Sequence, residues 1–120
     1  MDQRKILVAD DDPGIVDAMQ ILLEVHGYKV LTTLKGEDIE KMCAQKPDLI
    51  FMDIWMSGVD GNIICEQLKA SPENKNIPII MFSANWDTKD IALNCGANGF
   101  LLKPFEIKEL MKLVHEHLPV

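Results

Sequence analysis

The sequence predicts an α/β domain in which five strands alternate with five helices around an open parallel sheet. The first observation is a set of five short apolar runs, at residues 5–9, 29–34, 48–52, 78–82 and 99–103. The second is that the segments between these runs carry apolar residues at helical spacing. Strict alternation of strand and helix favours parallel strands joined by right-handed crossovers, with helices on both faces. Five strands are too few for an eight-stranded barrel, so we predict an open, doubly wound sheet.

The apolar runs differ in how continuous they are. Nearly continuous apolar sequence is found in the first, third and fourth runs, KILVA, DLIFM and PIIMF. Runs of this kind are typical of strands that are buried on both faces. The second and fifth runs, KVLTTL and GFLLK, are more mixed.

Start and stop signals bracket the first predicted helix, which follows Pro13 and ends at Gly27. An aspartate directly before a proline is typical of an N-cap followed by the first helical turn, and a glycine is a common C-terminal stop. We therefore assign Asp12 to helix capping. The apolar stripe of this helix consists of Ile15, Met19, Leu22 and Leu23.

Four further helices are predicted, at about Gly36–Gln45, Gly61–Ala70, Asp87–Cys95 and Glu106–Leu118. The last of them has the clearest amphipathic order. The apolar positions that we expect to face the sheet are, in chain order, Ile39, Met42, Cys43, Ile64, Cys65, Leu68, Ile91, Cys95, Ile107, Leu110, Met111, Val114 and Leu118.

The composition is that of an ordinary globular domain and argues against several classes of protein. The chain is 48% hydrophobic and 26% charged, and its 12 basic and 19 acidic residues give a net charge of −7. A negative surface argues against sequence-independent binding to nucleic acid or to an anionic membrane. The first apolar run is too short for a signal peptide, and no run reaches the roughly 20 apolar residues that span a bilayer. We expect a cytoplasmic protein.

The three cysteines, Cys43, Cys65 and Cys95, are far apart in the sequence and include no C-x-x-C pair. Their number is odd, which argues against a framework of disulfide bonds. We expect buried, reduced thiols that behave as small apolar side chains.

Polar side chains follow four of the predicted strands. Asp10 and Asp11 follow the first strand, Asp53 the third, Ser83 the fourth, and Lys103 ends the fifth run. Ligands of open α/β sheets bind beyond the carboxyl ends of the strands. We therefore expect three carboxylates, a hydroxyl and an ammonium to converge on one edge of the sheet.

This set of side chains favours a site for Mg²⁺ and a phosphoryl group. Crowded carboxylates repel one another, and a hard cation with oxygen ligands removes that repulsion. The ammonium of Lys103 suits a phosphoryl group as a point charge. The sequence has neither a P-loop nor a G-x-G-x-x-G motif, so a nucleotide site is not indicated. The remaining hypothesis is that an aspartate itself accepts the phosphoryl group.

The sequence resembles the receiver domain of two-component response regulators, including the chemotaxis type. The resemblance rests on VADDDP, DLIFMDIWMSGVDG, IIMFSA and GANGFLLKPF, each at the expected strand end, and covers essentially all 120 residues. It implies a single receiver domain over residues 1–120 and a flavodoxin-like strand order of 2-1-3-4-5. We leave open whether the chain acts alone or is one domain of a longer regulator or hybrid kinase.

The resemblance implies a metal site and a phospho-acceptor. Asp53 corresponds to the acceptor, and Asp10 and Asp11 correspond to the acidic pair that holds Mg²⁺ (or Mn²⁺) together with Asp53. The backbone carbonyl of Trp55 corresponds to a further metal ligand.

Other positions of the family's site are implied in the same way. Ser83 and Lys103 correspond to the groups that bond the phosphoryl oxygens, and the bond from Lys103 to Pro104 to a cis peptide. Phe100 corresponds to the aromatic switch residue that responds to movement of the hydroxyl at Ser83. Phenylalanine has no hydroxyl, so we expect this switch to act through packing alone.

Three positions near the acceptor are expected to set details of the chemistry. Trp55 and Asn85 occupy variable positions that flank the site, where we expect them to tune the lifetime of the phosphoryl group. Ser57 stands where the family usually has proline, which predicts a less rigid loop after the acceptor. Trp86 is equally compatible with partial burial and with contact to a partner.

The resemblance implies a signalling switch and not an enzyme of multiple turnover. The partners would be a sensor histidine kinase or a histidine phosphotransfer protein and a downstream protein target, with no direct binding to nucleic acid or membrane. The expected signalling face consists of the fourth helix, fifth strand and fifth helix. Self-catalysed phosphotransfer and slow autodephosphorylation would be its only reactions.

Two other functions compete with this interpretation. A small Mg²⁺-dependent phosphatase of the haloacid-dehalogenase type also uses an aspartate nucleophile after a strand. Such enzymes typically carry D-x-D, however, and this chain has Asp53-Ile54-Trp55. The other competitor is a receiver-like module that binds partners without phosphorylation, which the complete set of acceptor residues makes less attractive.

Overall fold

A single parallel sheet of five strands organises the computed structural model, which describes residues 3–56 and 58–119. The strands are β1 (Lys5–Ala9), β2 (Lys29–Thr33), β3 (Leu49–Asp53), β4 (Ile79–Ser83) and β5 (Gly99–Leu102). Their spatial order is β2-β1-β3-β4-β5, and every neighbouring pair is parallel. The predicted fold class and strand order are confirmed.

Five helical segments connect and flank these strands. They are α1 (Pro13–Val25), α2 (Ile39–Met42), α3 (Gly61–Ala70), α4 (Lys89–Asn94) and α5 (Ile107–His117). The second helix is less continuous than predicted, because 3₁₀ turns at Gly36–Asp38 and Cys43–Gln45 flank its four α-helical residues. No side chain caps the start of α2. Short i→i+3 bonds satisfy the terminal backbone groups in its place.

The hydrophobic core has two layers, one on each face of the sheet. Successive residues of β1 show the division, since Leu7 packs toward α2, α3 and α4, and Val8 packs toward α1 and α5. The interior residues of β1, β3 and β4 are almost completely buried, which confirms the prediction from their continuous apolar runs. The three cysteines are free and buried, as expected.

Two apolar residues that were expected to face the sheet are exposed. Ile91 is 49% exposed and Ile107 is 52% exposed. In α4 a 3₁₀ turn at Trp86–Thr88 precedes the helix and changes which side faces inward, so that Ala92 is the buried residue. Ile107 is the first residue of α5, and helical side chains tilt toward the N-terminus, so it projects past the packed part of the helix.

A two-residue antiparallel pair follows β3 and was not predicted. Trp55–Met56 pairs with Val59–Asp60, with Trp55 opposite Asp60 and Met56 opposite Val59. Gly58 adopts a positive φ of 81° in the turn, a conformation that glycine reaches without strain. Ser57 lies outside the described residues, so the predicted effect of this residue on loop rigidity stays a prediction.

The partly buried Lys69 joins three segments at the amino-terminal end of the sheet. The ammonium of Lys69 donates to the carbonyl of Ile77 at 3.0 Å and to Oδ1 of Asn98 at 2.7 Å. The same Oδ1 accepts the N–H of Ile79 at 3.0 Å. Lys69 therefore connects α3 to the loops before β4 and β5.

Among the described residues, none of the helices has the length and apolar character of a membrane span.

Candidate functional site

Three carboxylates meet at the carboxyl edge of the sheet. Asp10 follows β1, Asp11 is the next residue, and Asp53 ends β3 beside it. One carboxylate oxygen from each lies within 4.8 Å of the others. The predicted convergence of the three carboxylates is therefore confirmed. Parallel neighbouring strands bring their final residues to the same edge.

Asp10 is held rigidly by groups on both sides of its carboxylate. It is 1% exposed. Its Oδ1 accepts the backbone N–H of Asp12 at 2.9 Å, and its Oδ2 accepts a charge-assisted bond from the ammonium of Lys103 at 2.6 Å. A carboxylate this deeply buried is stable only with such partners.

Asp11 and Asp12 differ from Asp10 in both exposure and role. Asp12 is exposed and is the N-cap of α1, where its Oδ1 accepts the N–H of Gly14 at 2.9 Å. The capping role predicted for Asp12 is confirmed. Asp11 is exposed and directs a carboxylate oxygen toward the other two acids. The three adjacent aspartates thus occupy three different environments.

Lys103 provides the positive charge of the cluster. Besides its bond to Asp10, its ammonium lies 3.5 Å from Oδ2 of Asp53 and 4.8 Å from the centre of the Phe82 ring. Its backbone N–H donates to the carbonyl of Ser83 at 2.8 Å, which fixes where the chain leaves β5. The bond between Lys103 and Pro104 is cis, as the resemblance implies.

The pKa of Asp53 shows the electrostatic conflict in the cluster. Burial raises this pKa above its ordinary value, and the negative charge of Asp10 raises it further. The ammonium of Lys103 and the N–H of Ile54 act in the opposite direction. Three carboxylates against one ammonium leave excess negative charge within a few ångströms. A hard divalent cation such as Mg²⁺ fits this all-oxygen donor set and would reverse the balance that raises the pKa.

Ser83 lies at the end of β4, one residue beyond the partner of Asp53 in the strand register. Asp53 pairs with Phe82, and Ser83 pairs with Leu102 on the other side. The Ser83 side chain is nearly buried, and its Oγ accepts the N–H of Asn85 at 3.1 Å. The strand register therefore places Ser83 on the strand next to Asp53, at the same edge of the sheet.

The flanking positions Trp55 and Asn85 are both open to solvent. Trp55 is 60% exposed at the start of the short antiparallel pair. Asn85 is exposed in the loop after β4, and its Oδ1 accepts the N–H of Asp87 at 2.9 Å. Phe100 is half-buried in β5 and packs against the core on the α3 and α4 side. The side chain of Trp86 lies outside the part of the structure that is described.

Gly61 is a site residue that the sequence analysis did not identify. It begins α3, and its N–H donates to the carbonyl of Ile54 at 2.6 Å. A Cβ at this position would lie 2.5 Å from the carbonyl oxygen of Asp53 and 2.8 Å from that of Ile54. Only glycine allows the chain to return this close to the acceptor strand. In the sequence this residue is only a glycine at the start of a predicted helix. Other side chains are normally tolerated at that position, so the sequence does not indicate that glycine is required.

The geometry defines a doubly wound parallel sheet with an acidic cluster and a lysine at its carboxyl edge. The chain belongs to the response regulator receiver domain family, whose sequence model matches residues 6–115. It is 34% identical over 113 residues to the DNA-binding dual master transcriptional regulator RpaA of Synechocystis sp., which covers 92% of this chain and 47% of that protein. The chain therefore spans about half the length of this curated relative.

Solved structures are similar over nearly the whole chain. The chemotaxis protein CheY4 of Vibrio cholerae has a TM-score of 0.88 at 26% identity, covering 98% of this chain and all (100%) of that one. A receiver domain of a sensor histidine kinase from Pseudomonas aeruginosa has a TM-score of 0.89 at 25% identity, covering 99% and 100%. A magnesium ion is coordinated in the active-site cleft of the latter structure.

The family and the cluster together identify the chain as a receiver domain of two-component response regulators. Such a domain is a phosphorylation switch, and receiver domains bind Mg²⁺ at an acidic cluster of aspartates. The phosphatase and the phosphorylation-independent binding module are not favoured.

Proposed function

We propose that Asp53 accepts a phosphoryl group from a phosphohistidine on a sensor histidine kinase or a histidine phosphotransfer protein. The observation that carries the proposal is the partly buried carboxylate of Asp53 beside Asp10, Asp11 and Lys103. A carboxylate oxygen attacks phosphorus, an acyl phosphate forms, and the bond from phosphorus to the imidazole nitrogen breaks. The imidazole keeps that electron pair and takes up a proton.

The metal would be held by Asp10, Asp11 and Asp53, with the backbone carbonyl of Trp55 as a further ligand. Oxygen donors of this kind suit Mg²⁺, which usually retains several waters while sharing carboxylates with a phosphoryl group. When bound, the ion offsets the negative charge that accumulates as the phosphoryl group approaches the acidic cluster. Mn²⁺ is a second candidate because it prefers the same oxygen ligands.

Lys103 and Ser83 act on the transferred group. The Lys103 ammonium is already 3.5 Å from Asp53, so a small movement away from Asp10 brings it to a phosphoryl oxygen. The Ser83 hydroxyl donates to a second phosphoryl oxygen and in doing so moves toward Asp53. Both bonds favour charge that is present only after transfer begins.

The movement of Ser83 couples the site to a distant face. Phe100 lies one strand away and is only half-buried, so it has room to change position as Ser83 moves. The signalling face would be formed by α4, β5 and α5, whose equilibrium between two arrangements the phosphoryl group shifts. Trp55 and Asn85 flank the acceptor and would control access of water, which sets the rate of slow autodephosphorylation.

The phosphoryl donor would dock on an apolar groove that adjoins the site. The groove has a volume of about 390 Å³ and shares Lys103 with the acidic cluster. It is lined mainly by apolar side chains of α1 and the loop before α5, including Ile15, Leu22 and Phe105. A donor helix lying here would place its histidine within reach of Asp53.

The other proposed properties follow from the same assignment. Residues 1–120 would form one receiver domain in the cytoplasm, with a downstream protein as its target. The net charge of −7 opposes direct contact with nucleic acid or anionic membranes. Whether the chain acts alone or within a longer regulator is a separate question from the chemistry of Asp53.

Phosphorylation with a small-molecule donor tests the proposal directly. The protein is incubated with acetyl phosphate and Mg²⁺, and its intact mass is compared with a sample in EDTA. We expect a gain of one phosphoryl group that requires Mg²⁺ and disappears in Asp53→Ala. The matched control is Asp12→Ala, which removes the exposed cap and retains the gain.

Two results would contradict the proposal. One is an undiminished mass gain in Asp53→Ala, which would place the acceptor elsewhere. The other is no gain in the wild-type protein under any concentration of Mg²⁺ or Mn²⁺. Continuous release of inorganic phosphate at many equivalents per chain would instead favour the phosphatase.

A further inference from the structure

Two buried cysteines are neighbours inside the protein, on the side of the sheet that carries α3 and α4. Cys65 lies in α3 and is completely buried, and Cys95 follows the last residue of α4 and is 5% exposed. The Cys65 thiol donates to the carbonyl of Cys95 at 3.5 Å, and the Cys95 thiol donates to the carbonyl of Ala92 at 2.8 Å. Residues 30 positions apart in sequence are thus brought into direct contact.

The surroundings make the two thiols chemically unequal. The interaction between the two residues raises the pKa of Cys65 above its ordinary range and lowers that of Cys95 to about 7. The thiolate is the reactive form of cysteine. Cys95 is also the less completely buried of the two, at 5% exposed against 0% for Cys65, so we assign it as the nucleophile of the pair. Lys69, one turn beyond Cys65 in α3, adds a positive charge nearby. Burial and the charge of Glu40 raise the pKa of the third thiol, Cys43, to about 11.

We propose that Cys65 and Cys95 form a reversible intramolecular disulfide when the protein is exposed to a peroxide. The Cys95 thiolate attacks one peroxide oxygen, the O–O bond breaks, and a sulfenic acid forms. The sulfur of Cys65 then attacks Cys95, the S–S bond forms, and the sulfenic oxygen leaves as water. Two thiols lose two electrons and two protons, and hydrogen peroxide is reduced to two molecules of water.

The disulfide would restrain the helix that the phosphoryl group is proposed to move. α3 is anchored by several buried side chains, whereas Ala92 is the buried residue of the six-residue α4. A covalent bond from Cys65 to Cys95 would hold the end of α4 against α3 and would restrain α4, which is the less firmly packed helix. This consequence rests on the proposed function, but formation of the disulfide does not.

Oxidation followed by mass analysis tests the proposal. The purified protein is treated with hydrogen peroxide, denatured with a thiol-blocking reagent, and measured intact and after digestion. We expect the loss of two hydrogen masses and a peptide linking Cys65 to Cys95, both reversed by dithiothreitol. Cys43→Ser is the matched control and should behave as the wild type. Cys65→Ala and Cys95→Ser should each abolish the crosslink.

Several results would overturn the proposal. They are a native protein that keeps all three thiols, a crosslink that includes Cys43, and a disulfide that joins only separate chains. The coupling to α4 is tested separately, by labelling the oxidised and reduced proteins with acetyl phosphate. We expect the labelling rate to change severalfold on oxidation and to recover with dithiothreitol. An unchanged labelling rate in a fully crosslinked sample refutes the coupling between the disulfide and α4. Absence of labelling in both forms refutes the proposed function. In that case the mass analysis of the oxidised protein still decides whether the disulfide forms.

Discussion

Substitution of Lys103 tests how much its positive charge offsets the repulsion among the carboxylates of the site. Its side chain is 14% exposed, and its ammonium lies 2.6 Å from the carboxylate of Asp10, whose side chain is 1% exposed. Lys103→Met keeps most of the aliphatic chain and removes the charge, which leaves the carboxylates of Asp10 and Asp53 facing each other. Removing one partner of a buried ion pair typically costs 3–5 kcal/mol, and we expect about 3 kcal/mol because Asp53 can take up a proton.

This loss is large enough to measure by standard unfolding experiments. With a urea m-value of about 1.5–2 kcal/mol/M, a loss of about 3 kcal/mol lowers the urea midpoint by about 1.5–2 M. For a domain of this size the same loss lowers Tm by about 12 °C. Both measurements are made in EDTA, so that no divalent cation compensates for the missing ammonium. Lys108→Met in the exposed first turn of α5 is the matched control, with an expected change within about 0.5 kcal/mol.

Addition of Mg²⁺ then tests whether the lysine and the metal act on the same carboxylates. In the wild-type protein an ion at ten times its Kd stabilises the fold by about 1.4 kcal/mol. Lys103→Met should gain more at the same concentration, because the ion no longer competes with the ammonium for Asp10 and Asp53. The reasoning is refuted if Lys103→Met in EDTA matches the Lys108→Met control, or if Mg²⁺ stabilises both proteins equally.

Three further predictions concern the structure around the site and opposite it. Gly61→Ala should cost about 1–3 kcal/mol, since the added Cβ overlaps the acceptor strand, and should slow labelling by acetyl phosphate at saturating Mg²⁺. A normal rate in a destabilised protein would contradict this positioning role. Lys69→Met should cost about 1 kcal/mol in urea unfolding, because the partly buried carbonyl of Ile77 loses its charged donor, whereas the exposed Lys41→Met should change stability by under about 0.5 kcal/mol. Asp11→Ala should reduce the rise in Tm that Mg²⁺ causes. Asp12→Ala should lower stability by about 1 kcal/mol and leave that rise unchanged. Equal responses of the two variants to Mg²⁺ would show that the two residues have the same role.

The parts of the fold that the sequence predicts best are those in which one residue pattern has one physical cause. β1, β3 and β4 are buried on both faces, so their sequences are almost uninterrupted apolar runs with readable ends. Once those ends are known, the topology of a parallel sheet determines which polar residues meet. For this reason Asp10, Asp53 and Lys103 could be placed together before any distance was known. The sequence also predicted that Asp12, followed by Pro13, caps a helix, because capping depends only on local backbone groups.

The features that were missed depend on packing between distant segments. The inward side of α4 is set by a preceding 3₁₀ turn, so spacing alone misplaced Ile91. The contact of Gly61 with the carbonyl of Asp53 requires the path of the intervening loop, which contains the short antiparallel pair. The sequence gives no sign that Cys65 and Cys95 are neighbours, and only the packing of α3 against the end of α4 brings the Cys65 thiol to the carbonyl of Cys95.

The adjacent aspartates show how one turn of backbone serves both the fold and the site. The N–H of Asp12 donates to Asp10, and the side chain of Asp12 accepts from Gly14, so the start of α1 and the orientation of Asp10 are fixed by consecutive bonds. The first of these bonds uses the backbone and survives substitution of the Asp12 side chain. The second uses the side chain and is lost. The cap therefore stabilises the helix, whereas the carboxylate cluster consists of Asp10, Asp11 and Asp53.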